Sequence, residues 1–380
     1  MNNSTFSKQA IPEQVVGYRL IHGYVSGTIC FIGIIFNILN GFVWSQRTMR
    51  TSINILLTAL SFTDGTTLFF YLVYATYFFT VTGPSELIYH SKGWMYIVVI
   101  CFHEFIAFCT ISNGLTISLA IFRYMKICHP KAAERYCNSR RAKLVIVLVF
   151  ILSSLAMVPY YLFYEVYDLS QENLNLTGYW IRKTTFARNH VDFQRTVLWL
   201  YGMIYKVVPT IAMIFLSAFL IREVYAAGKR RQHLHVASPS RFQQTKIKTG
   251  YKRTTIMLVI IVLIYVLMEL PVGIMAIFSG MEDDESHYFY FLLYSHAGHI
   301  VDMTGLLNAT VNFIVYFCIK KQFRFVLKEA IFQKRAKRND PRYTHGERTC
   351  TTLSHDITIH MELSTSPIQE CMAYVNQTEK

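Results

Sequence analysis

The chain has 380 residues, of which 53% are apolar and only 16% are charged. Soluble domains carry about 25% charged residues, so this chain has too few solvating side chains for a water-soluble fold of its size. Aromatic residues make up 15%, with 28 Phe and 25 Tyr, and such a composition also excludes a disordered chain. The composition therefore predicts a membrane protein.

Seven apolar stretches are each long enough to cross a bilayer as a helix, which takes about 20 residues. They cover residues 20–44, 53–81, 94–122, 144–164, 196–221, 254–279 and 288–319. Backbone groups inside lipid must be satisfied within their own segment, and the chain shows none of the alternating strands of a membrane barrel. We therefore predict an all-α membrane protein, a seven-transmembrane helix bundle. Residues 1–19 precede it, a short amphipathic cytoplasmic helix follows at 320–333, and a disordered tail occupies 334–380.

The net charge of +14 is unevenly distributed along the chain. The first, third and fifth connections and the tail hold 29 of the 37 Lys and Arg residues. Because cytoplasmic flanks carry the basic excess, this predicts a multi-pass plasma-membrane protein with its amino terminus outside and its carboxyl terminus inside, and it disfavours nucleic-acid binding. Asn2, Asn3 and Asn175 open N-x-Ser/Thr triplets on the predicted outer side, where glycosylation would occur.

Five charged side chains fall within the predicted spans: Asp64, Glu104, Lys206, Glu269 and Asp302. Each would cost about 2.5–3.5 kcal/mol at mid-membrane if it were left unpaired. Asp64 lies close to the predicted midplane, whereas Glu269 and Asp302 lie in the outer half. This pattern predicts an acidic, aromatic-lined pocket that opens to the outside and receives a positively charged ligand.

Helical angles modify this prediction for individual residues. Phe105 shares the inward face of the third span, whereas Glu104 points about 100° away and is expected, with His103, to lie against the second span. Lys206 offers an alternative partner for Glu269, so that carboxylate either meets the ligand or forms an internal ion pair. The ligand-binding candidates are Glu269, Asp302, Phe105, His299 and Glu104.

Several residues at characteristic spacing resemble the landmarks of rhodopsin-like G protein-coupled receptors: Asn37, Asp64, Arg123 with Tyr124, Pro209, Pro271, and Asn312 to Tyr316. The sequence departs from that family where Phe122 precedes Arg123 and where Glu269 replaces the usual tryptophan. Residues 165–195 contain no cysteine, so the disulfide that the family usually forms in this loop is not expected. The departures, among them Glu269-Leu270-Pro271, resemble invertebrate myosuppressin-type receptors for FMRFamide-like peptides, especially those of nematodes.

The resemblance implies an amidated peptide ending in Arg-Phe-amide as the extracellular ligand. It also implies coupling to a heterotrimeric G protein through Arg123, Tyr124 and Tyr316. A further set of residues resembles the family's internal sodium cluster, although a hydrated network without an ion fits equally well: Asp64, Ser112, Asn308 and Asn312. Serine and threonine residues in the tail are potential phosphate acceptors that would recruit arrestin after a receptor kinase acts.

Other functional classes fit the sequence less well. No pattern of catalytic or zinc-binding residues indicates an enzyme, and no cofactor other than sodium is expected. A transporter would show repeated halves with interrupted helices. A chemosensory or orphan receptor of the same fold with a non-peptide ligand remains the main alternative.

Overall fold

The computed structural model describes residues 13–81, 90–171, 178–234, 260, 263–271, 273–275 and 303–338. Side chains at 13–20, 81, 224, 227–234 and 331–338 fall outside this description. The chain divides into two compact units, Met1–Phe323 and Arg324–Lys380. Five predicted site residues lie outside the described residues: Asn2, Asn3, Asn175, His299 and Asp302.

The first unit is a bundle of long apolar helices. In chain order they are α1 Glu13–Ser45, α2 Ser52–Ala75 with a wider π-helical turn at Thr76–Val81, α3 Lys92–Cys128, the short α4 Pro130–Tyr136, and α5 Ser139–Tyr161. After a β-hairpin come α6 Thr185–Asn189, α7 Val191–Trp199, a second π-helical segment Leu200–Val207, and α8 Val208–Leu234. The helices α9 Leu263–Met275 and α10 Met303–Ile319 complete the bundle.

Within the described residues, five helices are long and apolar enough to cross a membrane: Ile21–Ser45, Ser52–Thr80, Lys92–Cys128, Ser139–Tyr161 and Val191–Glu223. The predicted sixth and seventh spans are described only in part, by α9 and α10. The prediction of an all-α membrane bundle is therefore confirmed, with one short hairpin added to it.

Polar side chains fix where individual helices begin. The Thr51 side chain accepts a hydrogen bond from the backbone N–H of Asn54 at 3.2 Å, and the Asn138 side chain accepts one from Arg141 at 2.9 Å. Each bond satisfies one of the N–H groups that a helix leaves unpaired at its start. Helix α5, which corresponds to the fourth predicted span, thus begins at Ser139, five residues before the start of that span, because capping rather than hydropathy decides where it begins.

A two-stranded antiparallel hairpin follows α5. Strand β1 covers Tyr164–Asp168, strand β2 covers Tyr179–Lys183, and Tyr164 lies opposite Lys183. The predicted fourth span ran to residue 164, but the helix ends at Tyr161. Both strands are rich in aromatic and β-branched residues, which favour an extended backbone.

Proline changes the geometry of the fifth membrane helix. Pro209 has no N–H, so the carbonyl of Tyr205, four residues earlier, loses its usual helical donor. The Asn113 side chain of α3 donates to that carbonyl at 3.2 Å. The third and fifth spans are thereby joined in the middle of the bundle, beside the π-helical segment.

After α10, the chain forms α11, Lys321–Arg338. It runs five residues past the predicted end at 333, because Lys, Arg and Ala are good helix formers. The helix begins in the first unit, where Phe323 is fully buried, and its remainder belongs to the second unit.

Candidate functional site

The centre of the bundle contains an ion pair. Nζ of Lys206 lies 2.8 Å from Oε2 of Glu269, and the two side chains are only 7% and 6% exposed. Asn308 donates to the other carboxylate oxygen at 3.1 Å, and Asn113 donates to Oε2 at 3.4 Å. One carboxylate therefore joins the third, fifth, sixth and seventh spans.

The Glu269 carboxylate is occupied by contacts inside the bundle. Both of its oxygens are engaged by neighbouring side chains, so the internal ion pair is the alternative that the structure shows. A buried carboxylate and ammonium each lose hydration, and their contact and hydrogen bonds offset that loss. In this arrangement Glu269 is not an uncommitted negative charge for an external cation.

Asp64 lies at the centre of a second polar group. Ser112 donates to its Oδ1 at 2.5 Å, and Asn312 donates to its Oδ2 at 3.2 Å. Asn308, predicted to join this cluster, directs its amide to Glu269 instead. The structure thus brings three of the four predicted residues together through hydrogen bonds, and all four line one internal cavity of ≈ 40 Å³.

That cavity is also lined by residues of the predicted coupling site. Arg123 and Tyr316 both line it, and the arginine donates to the tyrosine hydroxyl at 3.5 Å. The Tyr124 ring instead makes an edge-to-face contact with the His129 ring, with ring centroids 5.8 Å apart. Tyr265 of α9 also lines the cavity, and its buried hydroxyl makes no hydrogen bond to any described residue. One cavity, with polar residues at Asp64 and Arg123 and apolar residues such as Leu119 and Val315 in its walls, thus extends from the centre of the bundle to its Arg123 end.

The opposite end of the bundle, which carries the hairpin, is predominantly aromatic. Phe105 faces Tyr71 across the interior with ring centroids 5.0 Å apart, in line with its predicted inward direction. Glu104 accepts a hydrogen bond from the Tyr161 hydroxyl at 2.9 Å, and His103 lies 5.1 Å from the Tyr161 ring. The expectation that these two residues lie against the second span is therefore wrong, because their side of α3 faces α5.

Aromatic contacts hold the hairpin against α2 and α3. Tyr179 donates its backbone N–H to the carbonyl of His90 at 3.1 Å, and the His90 ring lies 5.2 Å from the Trp180 ring. The Tyr77 hydroxyl and Nδ1 of His90 share a hydrogen bond of 2.8 Å. Burial lowers the pKa of His90 below its ordinary value. Every cysteine within the described residues is a free thiol, so in this part of the chain the hairpin is held by noncovalent contacts.

Sequence reasoning missed Asn113, Tyr265 and His90. A signal existed for Asn113, since an amide one residue after Ser112 in an apolar span must find a partner. Tyr265 and His90 carried no comparable signal, because their roles depend on which helices are neighbours.

A family model described as "Serpentine type 7TM GPCR chemoreceptor Srw" matches residues 24–334. The G-protein coupled receptor dmsr-1 of Caenorhabditis elegans is 27% identical over 348 positions, covering 81% of this chain and 67% of that protein. The sex peptide receptor of Drosophila melanogaster is 26% identical, covering 89% of this chain and 79% of the relative.

The FMRFamide receptor of Drosophila melanogaster is 23% identical over 88% of this chain, which spans only 58% of that protein's length. These relatives agree with the predicted resemblance to invertebrate neuropeptide receptors, and the family is a receptor family rather than an enzyme family. Because the family model spans all seven predicted membrane helices, the chain belongs to the serpentine-type seven-transmembrane G protein-coupled receptor family Srw.

Proposed function

We propose that this receptor binds an amidated, FMRFamide-like or myosuppressin-like peptide at the hairpin end and signals to a heterotrimeric G protein at the Arg123 end. The observation that carries the proposal is the polar network around Glu269, because it ties four spans together between the two ends. The names of the FMRFamide and sex peptide receptors support a peptide as the ligand class. The basic connections support an external amino terminus.

The peptide would bind among residues at the outer end of the bundle. Phe105 lies there, close to Tyr71, and offers an aromatic surface for a phenylalanine ring. With Glu269 committed to Lys206, Asp302 is our candidate for the peptide's arginine, which pairs well with carboxylates. Glu104 and His299 are proposed as further contacts, Glu104 from the side next to Tyr161.

Activation would open the Arg123 end. The sixth span contains Pro271 two residues after Glu269, so a swing about that proline is transmitted directly to the ion pair. Among the described residues, Arg123 forms no ion pair, and its side chain donates one hydrogen bond, to the Tyr316 hydroxyl. We therefore expect measurable signalling without agonist, and a receptor that is silent until stimulated would contradict this part of the proposal.

The Asp64 group fits a sodium ion in its chemistry. A carboxylate, the Ser112 hydroxyl and the Asn312 amide supply oxygen ligands of the kind that hard cations prefer, and the cavity exceeds the 10–15 Å³ or so that one water needs. We propose that these residues hold sodium in the resting receptor. Agonist affinity should then fall as sodium replaces choline, and Asp64→Asn should abolish the effect. Equal affinities in both salts would favour a hydrated network without an ion.

A signalling screen tests the ligand class. Cells expressing the receptor are exposed to amidated peptides, and each active peptide is retested with its arginine replaced by citrulline, which is neutral and of similar shape. Asp302→Asn should weaken the arginine peptide by roughly tenfold or more, the scale of a charge-assisted hydrogen bond, and leave the citrulline peptide unchanged. Exposed Asp192→Asn is the matched control.

The second candidate function is chemosensory, with a small non-peptide ligand. The family model's description as a chemoreceptor favours it. A response to small molecules together with no response to any amidated peptide would select this candidate.

Arrestin and a receptor kinase are proposed as partners of the tail, and a receptor truncated after Arg348 that still desensitised would exclude that role.

A further inference from the structure

A separate cavity of ≈ 170 Å³ lies at the hairpin end, between α2 with its π-helical turn, α3 and the hairpin. Among the described residues its lining is largely aromatic and includes one histidine: Tyr74, Phe78, Val99, Phe102, His103, Tyr164 and Ile181. The two strands supply one residue each, so the hairpin forms one wall. This cavity, called the aromatic pocket below, is distinct from the polar cavity between Asp64 and Arg123.

The size of the aromatic pocket matches one aromatic ring. An apolar cavity of about 150 Å³ is large enough to hold benzene. The rings of the walls already adopt favourable mutual geometry: Phe102 lies 5.4 Å from Tyr74, and 6.2 Å from Tyr164 at an interplanar angle of 76°. An additional ring would make edge and offset contacts of the same kind, which an aliphatic group cannot make.

His103 gives the aromatic pocket a polar feature. The residue is 4% exposed, and its Nε2 is buried without a hydrogen bond to any described residue. A buried polar atom without a partner is costly. Because His103 lines the pocket, a ligand with a hydrogen-bonding group beside its ring brings that group next to the imidazole, so the pocket is better suited to a ring attached to a polar backbone than to a plain hydrocarbon.

The hairpin wall is held in place before any ligand arrives. The ion pair between Arg182 and Glu165, at 2.8 Å, joins the two strands to each other. The backbone bond from Tyr179 to His90 and the contact of the Trp180 ring with Phe78 hold the hairpin beside the start of α3 and the π-helical turn. A preformed wall lowers the ordering cost of binding.

We propose that the aromatic pocket is a ligand subsite that takes one aromatic ring of the extracellular ligand, with His103 contacting a polar group next to that ring. The inference rests on the proposed function only in that the ligand arrives at the hairpin end. It requires neither Asp302 nor a particular peptide sequence.

A first experiment needs no known ligand. Val99, which lines the pocket, and Ile100, which is 55% exposed beside it, are each replaced by cysteine in the full-length receptor. Each variant is labelled with benzyl or pentyl methanethiosulfonate, and the parent chain gives the background from native thiols. The ratio of benzyl to pentyl rates should be about three- to tenfold higher for Val99→Cys, the range expected from one aromatic contact. Equal ratios would overturn the proposal.

If Val99→Cys fails to reach the cell surface, Ile181→Cys probes the same cavity from the hairpin, with the same expected preference.

The second experiment uses Phe-Met-Arg-Phe-amide. Val99→Phe fills the pocket and should raise the half-maximal concentration by roughly tenfold, whereas Ile100→Phe should not change it.

Replacing one of the peptide's two phenylalanines by cyclohexylalanine should weaken activation of the parent receptor but have less effect on Val99→Phe.

The proposal of peptide reception and the proposal of the aromatic pocket fail in different ways. An inert peptide with a benzyl preference at Val99→Cys would reject the peptide and support the pocket. An active peptide that is insensitive to Val99→Phe would reject the pocket and leave peptide reception standing.

Discussion

The Lys206–Glu269 pair makes a quantitative prediction about stability. At 2.8 Å the gross attraction is about 6 kcal/mol for an effective dielectric constant of 20, and dehydration of both ions offsets most of it. Removing one partner leaves the other charge buried and uncompensated, which costs about 3–5 kcal/mol. Lys206→Met and Glu269→Gln should therefore each destabilise the receptor strongly, whereas the double variant should lie much closer to the parent.

The assay is the melting temperature of receptor purified in detergent, with surface expression as a second readout. Each single variant should melt on the order of 10 °C lower, and the double variant should recover most of that loss. Lys183→Met removes an exposed ammonium that donates to Gln194 and lies 5.7 Å from the centre of the Phe163 ring, without a carboxylate partner among the described residues, and it serves as the matched control. If Lys206→Met alone melted like the parent, Glu269 would not need a positive partner, and the ion-pair interpretation would be refuted.

Two further predictions concern packing and pH. A Cβ at Gly33 would approach Leu68 to 2.6 Å and would also collide with Thr310, so Gly33→Ala should destabilise the receptor by about 1–3 kcal/mol, while Gly93→Ala, with open space around it, should be neutral in the same melting assay. The lowered pKa of His90 favours its neutral form when the hairpin is docked. Docking is therefore fully stable above the ordinary pKa of about 6.5 and weakens as the pH falls below it. The protection of the amides at 179–183, measured as the exchange rate relative to its intrinsic value at each pH, should fall as the pH drops through that range in the parent and should not fall in His90→Phe; the same loss of protection in the variant would contradict the prediction.

The helices could be predicted from the sequence because lipid imposes a simple demand on the backbone. A stretch such as residues 94–122 has no alternative to a helix in a bilayer, and the structure extends it to Lys92–Cys128. The hairpin was not predicted, since its five-residue strands are too short for hydropathy to reveal. Its aromatic and β-branched residues were a weak local signal that the neighbouring apolar span obscured.

Side-chain partners were harder to predict than helices. A helical angle correctly directed Phe105 inward, but the same angle could not say which helix flanks Glu104, so the second span was chosen where Tyr161 of α5 is the partner. For Glu269 the sequence left two partners open, a ligand or Lys206. Choosing between them requires the relative depth and rotation of two helices far apart in the chain, which hydropathy does not encode.

The two polar groups at the centre of the bundle are linked through one helix. Asn308 bonds Glu269 and Asn312 bonds Asp64, and these asparagines lie four residues apart, on one face of α10. Lys206 balances the charge of Glu269, so an ionised Asp64 would leave one net negative charge in the network, which a proton or a sodium ion would neutralise. Either cation would act on Glu269 through the position of α10, because a shift that lengthens one asparagine contact alters the other. A ligand that moves the sixth span about Pro271 would therefore change cation affinity at Asp64, and by linkage the cation would change ligand affinity by the same factor.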